Sequence, residues 1–268
     1  ADDTPGVMAI CGKWGVGKTY FWNKMIQAVS QSEETFKLPR YGYVSLFGIN
    51  SLTGLKSEIF TAIADREMIG KELNVKAFQE NTKSSILSAL KKLPKLAEMA
   101  LPNSSSVADA VCFASIRQSV ICIDDKEKKS KSLEIKDVLG LASVLKEQKR
   151  CKIVFLLNDD EEGLEDFNKY HEKVVDLKLR FEPTPEDCVE IALPRENDDQ
   201  KFLQQCVCNL KITNIRTIKK IERIVSIATK ILTDFSPTIK QQTISSLVLF
   251  GCCHYRADEN IPDLKHVT

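Results

Sequence analysis

Short apolar runs alternate along the chain with segments whose apolar residues recur every three or four positions. Residues 7–11 form the first apolar run, and residues 19–30 follow it with apolar residues at helical spacing. Residues 41–47 predict a second strand and residues 52–68 a second helix. Strand, loop, helix and strand in this order are typical of an α/β domain, in which crossover helices connect the strands of a parallel sheet.

The alternation resumes after residue 117. The further elements that it predicts are strands over residues 119–123, 151–157 and 174–181, a helix over residues 133–149 and a helix that ends near residue 173. From Thr184 onward every signal is helical, and Pro183 and Pro185 mark the beginning of a helical lid. The sequence therefore predicts an α/β core over residues 1–183 and a helical lid subdomain over residues 184–268.

The segment over about residues 70–117 interrupts this alternation. It carries an amphipathic helical stripe of isoleucine and leucine interspersed with lysines, and it is punctuated by prolines and an Asn-Ser-Ser-Ser turn. Such a stripe predicts a helical insertion that packs on the sheet. A surface for a partner protein or for a phosphate backbone is the alternative interpretation.

A glycine-rich loop follows the first predicted strand. Residues 12–19 read Gly-Lys-Trp-Gly-Val-Gly-Lys-Thr and fit the GxxxxGK[ST] pattern in full, with a strand before the loop and a helix after it. The glycines let backbone N–H groups turn inward around phosphate oxygens. Lys18 places a positive charge on the β and γ phosphates, and Thr19 offers a hydroxyl to Mg²⁺. The predicted nucleotide-binding residues are Gly12, Lys13, Trp14, Gly15, Val16, Gly17, Lys18, Thr19 and Tyr20.

Two acidic residues, Asp124 and Asp125, end the predicted strand over residues 119–123. In P-loop enzymes the first acid of such a pair holds Mg²⁺, and the second polarises the attacking water as a general base. We therefore predict Asp124, with Thr19, as a metal ligand and Asp125 as a catalytic residue. A solvated strand end or a helix cap is the alternative for this pair.

Asn158 ends the next predicted strand. An amide at this place can contact the γ-phosphate or orient the lytic water, and it can also cap the following helix. Asn158, Asp159 and Asp160 lack the lysine of the guanine-reading NKxD motif. The sequence therefore favours ATP over GTP.

Composition narrows the class of protein. The 38 Lys and Arg nearly balance the 37 Asp and Glu, so the net charge of +1 gives no long-range field, and a nucleic-acid or membrane surface would have to be local. The nine cysteines lie in apolar runs without the paired spacing of a zinc site, which predicts reduced thiols and a cytoplasmic protein.

No apolar run predicts a membrane span, and the first residues look like neither a signal nor a transit peptide, which suggests a piece of a longer protein.

These motifs resemble those of the KAP family of P-loop NTPases, relatives of the AAA+ and STAND ATPases. The phosphate loop, the acidic pair and Asn158 carry the resemblance. Residues 214–220, Asn-Ile-Arg-Thr-Ile-Lys-Lys, are similar to the Asn-Pro-Arg-x-x-Lys-Arg segment of the family's lid. The 105 positions that separate Thr19 from Asp124 (124 − 19) suit the family's habit of a large insertion there.

The resemblance implies a three-layer P-loop NTPase core with a parallel sheet, a helical insertion and a C-terminal helical lid. It also implies Mg²⁺-dependent ATP hydrolysis, a homo-oligomer formed through the core, and often prokaryotic defence against phage. The predicted catalytic residues are then Lys18, Asp125, Asn158 and Arg216, with Arg216 reporting on the γ-phosphate. A solvated basic face of an amphipathic helix is the alternative for Arg216, and nucleic-acid contact by the same face is a weaker one.

The chain departs from the family pattern at two places. Lys126, Glu127 and Lys128 follow the acidic pair, where the family has an apolar residue, an acid and an arginine. A lysine does not reproduce the bidentate contact of a guanidinium. The helix after Asn158 has no arginine, so an arginine finger of the AAA type is absent from that place.

Three functions therefore stay open at this point. The first is an ATPase that drives a conformational or assembly change in a larger protein with flanking or partner effector domains. The second is a nucleotide-dependent oligomerisation switch with negligible turnover. The third is a motor that nucleic acid stimulates. A small-molecule kinase is a weaker rival, because such enzymes usually keep arginines in a lid over the phosphates.

Overall fold

The computed structural model describes residues 4–31, 40–65, 113–158, 164–193, 197–255 and 264. The strands in these residues are β1 (Gly6–Gly12), β2 (Arg40–Ser45), β3 (Ala64–Asp65), β4 (Ser119–Asp124), β5 (Lys152–Asn158) and β6 (Leu177–Arg180). They form one sheet in the order β3-β2-β4-β5-β1-β6. Strand β4 pairs in parallel with β2 and β5, β1 pairs in parallel with β6, and β3 pairs antiparallel with β2. The predicted α/β fold with a parallel sheet is confirmed.

Helices connect and follow these strands. In the described part of the chain they are α1 (Lys18–Gln31), α2 (Leu52–Ala62), α3 (Ile135–Glu147), α4 (Leu164–His171), α5 (Pro185–Ala192), α6 (Asp198–Asn209), α7 (Ile215–Ile231) and α8 (Pro237–Tyr255). A 3₁₀ turn over Lys126–Lys128 follows β4 directly. The carboxyl ends of the parallel strands β4 and β5, where the acidic pair and Asn158 lie, therefore meet at one edge of the sheet.

The centre of the sheet is apolar on both faces. Every residue of β4 is buried, as are the five central residues of β5. Such continuous apolar runs are expected of parallel strands that helices cover on both sides. Helix α3 contributes one face of this core through Val138, Ala142 and Leu145.

The chain divides into two compact units. The first contains Ala1–Cys11 and Thr19–Arg180, and the second contains Gly12–Lys18 and Phe181–Thr268. The second unit has an apolar core of its own, which helices α5 to α8 supply. Its first helix begins at a capping box, because Thr184 and Asp187 each accept a hydrogen bond from the other's backbone N–H.

Several predicted elements differ from the structure at their ends, and three of them differ most clearly. Helix α2 ends at Ala62, so the prediction of helix as far as residue 68 is wrong over residues 63–65, and residues 66–68 lie outside the described residues. Ile63 is extended, and the next two residues form β3 by pairing with β2. This pairing between strands overrides the helical spacing of the apolar residues. Strands β2 and β6 are shorter than residues 41–47 and 174–181.

The predicted helical insertion falls almost entirely outside the described residues, which resume at residue 113. Among the described residues, no helix combines the length and the apolar content that crossing a bilayer requires.

Candidate nucleotide-binding site

Lys18 is the best-buried charged residue of the phosphate loop, with 8% of its surface exposed. Its ammonium donates hydrogen bonds to the carbonyl oxygens of Gly12 at 2.6 Å and Lys13 at 2.8 Å. Gly15 and Gly17 have φ angles of +79° and +98°, in the left-handed region that favours glycine. The loop is therefore curled around the lysine, and its shape depends on residues without a Cβ.

The lid helix α7 begins on this loop, within the second unit. The backbone N–H of Ile215 donates to the carbonyl oxygen of Gly15 at 2.9 Å. The side-chain amide of Asn214 donates to the carbonyl oxygen of Trp14 at 3.2 Å. The guanidinium of Arg216 lies 5.3 Å from the centroid of the Trp14 ring, which is a cation–π distance. The structure thus brings Arg216 together with the phosphate loop.

The carboxylate of Asp124 accepts three hydrogen bonds within the first unit. The Thr19 hydroxyl donates to Oδ2 at 2.7 Å, and the Tyr43 hydroxyl donates to the same oxygen at 2.8 Å. The backbone N–H of Asp125 donates to Oδ1 at 2.7 Å. Only 9% of the Asp124 surface is exposed. Two residues predicted as metal ligands, Thr19 and Asp124, are therefore in direct contact.

Asp125 occupies a strained turn between β4 and the 3₁₀ turn. Its φ angle of 56° is in the left-handed region, which few residues other than glycine adopt, although aspartate is among those that do. Its Oδ2 accepts a hydrogen bond from the Ser45 hydroxyl at 2.7 Å, and its Oδ1 forms an ion pair with Lys128. Because of this ion pair, Lys128 neutralises the second acid of the pair, and it does so at the place where the family has arginine. Backbone strain such as that of Asp125 concentrates at functional sites.

Tyr43 and Ser45 are site residues that the sequence analysis did not identify. Both belong to β2, and the register with β4 sets Tyr43 beside Cys122 and Ser45 beside Asp124. Burial, followed by the charge of Asp124, raises the pKa of the Tyr43 phenol well above its usual range. The hydroxyl is therefore protonated, and able to donate, throughout the neutral pH range. Sheet order is the information that places these residues here, and no motif in the sequence carries it.

We expect Tyr43→Phe to raise the Mg²⁺ concentration required for nucleotide binding by about tenfold, because Asp124 is a predicted metal ligand and loss of a hydrogen bond to a metal ligand typically weakens metal affinity by 10–100-fold. The measurement is a Mg²⁺ titration of nucleotide binding. Tyr41→Phe is the matched control, since the Tyr41 hydroxyl accepts a hydrogen bond from Trp22 at 2.9 Å instead of contacting Asp124. Equal Mg²⁺ requirements for the two variants would contradict the role of Tyr43.

The oxygen atoms of Thr19 and Asp124 fit Mg²⁺. In phosphate sites this ion takes one or two carboxylates together with phosphate oxygens and water, rather than a cage made of protein. One carboxylate and one adjacent hydroxyl match that requirement. No group of three or more His, Cys, Asp or Glu forms a metal cage in the part of the chain that the structure describes.

The remaining predicted site residues are Asn158, Tyr20, Lys13 and Val16, which differ in their exposure. Asn158 ends β5 and is half-buried. Tyr20 is 46% exposed on α1, where the Lys24 ammonium lies 5.8 Å from its ring centroid. Lys13 is exposed and Val16 is buried in the loop. The roles of these side chains toward a nucleotide stay predictions.

Several solved structures are similar to this chain at low sequence identity. The crystal structure of Cdc6p from Pyrobaculum aerophilum is similar with a TM-score of 0.51 at 14% identity, over 84% of this chain and 55% of that one. Thermotoga maritima RuvB has a TM-score of 0.46 at 10% identity, over 91% of this chain and 62% of that one. Drosophila ORC bound to AT-rich DNA and Cdc6 has a TM-score of 0.44 at 11% identity, over 84% of this chain and 34% of that one. The chain spans less than two thirds of each of these chains.

No curated protein matches the sequence of this chain. The KAP family P-loop domain matches residues 2–232, which include the phosphate loop, the acidic pair, Asn158 and the first turn of α7. That match covers most of the chain and agrees with the resemblance that the motifs predict. The chain therefore belongs to the KAP family of P-loop NTPases.

Proposed function

We propose that the chain binds ATP with Mg²⁺ and hydrolyses it. The observation that carries the proposal is the geometry of the phosphate loop. Lys18 is buried and donates hydrogen bonds to two loop carbonyl oxygens, and Gly15 and Gly17 have φ angles in the left-handed region. Backbone N–H groups and an ammonium at the beginning of a helix are the groups that bind phosphate anions. Family membership supports the same ligand class.

Each polar residue of the site has a task in this proposal. Thr19 and Asp124 would hold Mg²⁺, which would offset the negative charge of the phosphate oxygens. Asp125 accepts a proton from the attacking water, because an aspartate at a strand end after a metal-binding acid is positioned for general-base catalysis. Asn158 orients that water, and Arg216 responds to the γ-phosphate from the lid.

The process that ATP hydrolysis would drive is inferred from family membership. We infer that turnover drives a conformational or assembly change in a larger oligomeric protein of the cytoplasm, with a role in defence. Adenine is the favoured base, since the residues after Asn158 lack the guanine-reading motif. The core over residues 1–183 and the lid over residues 184–268 are the two domains of this proposal.

A nucleotide-dependent switch with negligible turnover is the second candidate, and one observation favours it. The Asp125 carboxylate is paired with Lys128 and also accepts the Ser45 hydroxyl. A carboxylate neutralised in this way is a weaker proton acceptor, because the lysine stabilises its charged form. An Asp125 carboxylate held in this pair is therefore expected to support slower hydrolysis than an unpaired one.

Phosphate release from ATP and from GTP, measured with and without DNA and RNA, tests the proposal. We expect ATP to be hydrolysed, GTP to be a poorer substrate, and neither nucleic acid to change the rate. Tight ATP binding without release would establish the switch, and strong stimulation by nucleic acid would establish a motor. Equal rates with the two nucleotides would contradict the assignment of adenine.

A further inference from the structure

Asn214 makes two hydrogen bonds of opposite polarity where the lid helix α7 begins. Its Oδ1 accepts from the backbone N–H of Thr217 at 3.1 Å, which caps the helix, and its Nδ2 donates to the carbonyl oxygen of Trp14 at 3.2 Å. Serine, threonine and aspartate also cap helices, but their side chains have no amide donor beyond the capping oxygen. The cap alone therefore does not account for an asparagine at this position.

Two consecutive peptide groups of the phosphate loop are fixed by the beginning of α7. The carbonyl of Trp14 accepts from the Asn214 side chain, and the carbonyl of Gly15 accepts from the backbone N–H of Ile215. In a trans peptide the C=O and N–H bonds of one unit point in opposite directions. Fixing these two carbonyls toward α7 therefore directs the N–H groups of Gly15 and Val16 away from the lid helix.

Gly15 shows how closely Asn214 approaches the loop. A Cβ at Gly15 would lie 2.3 Å from Oδ1 of Asn214, and one at Gly17 would lie 2.7 Å from the Ile215 side chain. The GxxxxGK[ST] pattern leaves the position of Gly15 open, so the pattern does not explain this glycine. Its φ angle of +79° and the packing of Asn214 do explain it.

We propose that Asn214 is a positioning residue for nucleotide binding, which holds the N–H groups of the phosphate loop in the orientation that receives phosphate. It acts through the Trp14 carbonyl and does not contact the nucleotide. The inference rests on the proposed binding of ATP at this loop. It assigns a task in the nucleotide site to a residue that would otherwise be only the cap of α7.

Two substitutions separate the hydrogen bond from Asn214 to the Trp14 carbonyl from the hydrogen bond that caps α7. Asn214→Ser keeps a capping oxygen for the Thr217 N–H and stays neutral, but it lacks the amide that reaches the Trp14 carbonyl. Asn214→Ala loses both bonds. We expect both variants to bind ATP about tenfold more weakly, as loss of one net hydrogen bond allows, whereas only Asn214→Ala unfolds at a clearly lower temperature. Wild-type affinity in Asn214→Ser would overturn the proposal.

A second measurement needs no nucleotide. Trp14 is 39% exposed and Trp22 only 3%, so iodide quenching of tryptophan fluorescence reports mainly on Trp14. We expect quenching to increase in Asn214→Ser, because the loop is then released from α7. Unchanged quenching would overturn the inference even if wild type failed to bind ATP. Failure of wild type to bind ATP, with increased quenching in the variant, would overturn only the proposed function.

Discussion

Lys18→Ala is expected to weaken ATP binding by at least about 100-fold, because a hydrogen bond to a charged group contributes about 1.5–3 kcal/mol and each 1.4 kcal/mol is a factor of ten. The ammonium is buried and anchored to the carbonyl oxygens of Gly12 and Lys13. A charge held in a partly desolvated loop interacts with phosphate more strongly than a solvated one.

Titration calorimetry with ATP measures this effect. Lys24→Ala is the matched control, since it removes the same charge from an exposed position on the same helix. Lys18→Met fills the space of the lysine stem and separates loss of charge from loss of packing. If Lys18→Ala binds ATP as wild type does, the loop is not the phosphate site.

Asp125→Asn is expected to slow ATP hydrolysis by about 10²- to 10⁴-fold, the usual contribution of a general base, and to leave ATP affinity unchanged. Asparagine has the size of aspartate and tolerates the left-handed φ of 56° at this position. Its amide does not accept a proton from water. The substitution therefore removes the proposed chemistry with little change to the turn.

Phosphate release and ATP affinity are to be measured together for Asp125→Asn and for Glu127→Gln. The control removes an equal charge two residues further on, within the 3₁₀ turn that follows β4. Full turnover in Asp125→Asn would assign Asp125 to the ion pair with Lys128 and to the turn, as a structural residue. Reduced turnover in both variants would show that general loss of negative charge is responsible.

The sequence predicts those parts of the fold that depend on local pattern. The apolar run of residues 119–123 becomes β4, and the helical spacing after the phosphate loop becomes α1. The exchange of helix for strand at Ala64 and Asp65 was not predictable, because it depends on pairing with Arg40 and Tyr41. Pairing with a strand more than 20 residues away in the sequence leaves no periodic pattern of apolar residues at Ala64 and Asp65.

The candidate site, like the fold, is predictable where it depends on local sequence and not where it depends on long-range contacts. The loop residues and the acidic pair are contiguous in the sequence, so their chemistry can be recognised as motifs. Tyr43 contacts Asp124 across 81 positions, and Asn214 contacts Trp14 across 200 positions. Sheet order and the packing of the lid create these contacts, which no spacing rule describes. The ion pair of Asp125 with Lys128 is local, but its geometry depends on the unusual φ of the aspartate.

A single-turnover experiment tests the central claim most directly. Excess protein is mixed with ATP labelled at the γ-phosphate, and release of labelled phosphate is followed for wild type and Asp125→Asn in Mg²⁺. We expect wild type to release the bound label in one phase, and Asp125→Asn to retain it as intact ATP. Intact ATP recovered from wild type and variant alike would contradict hydrolysis by this chain.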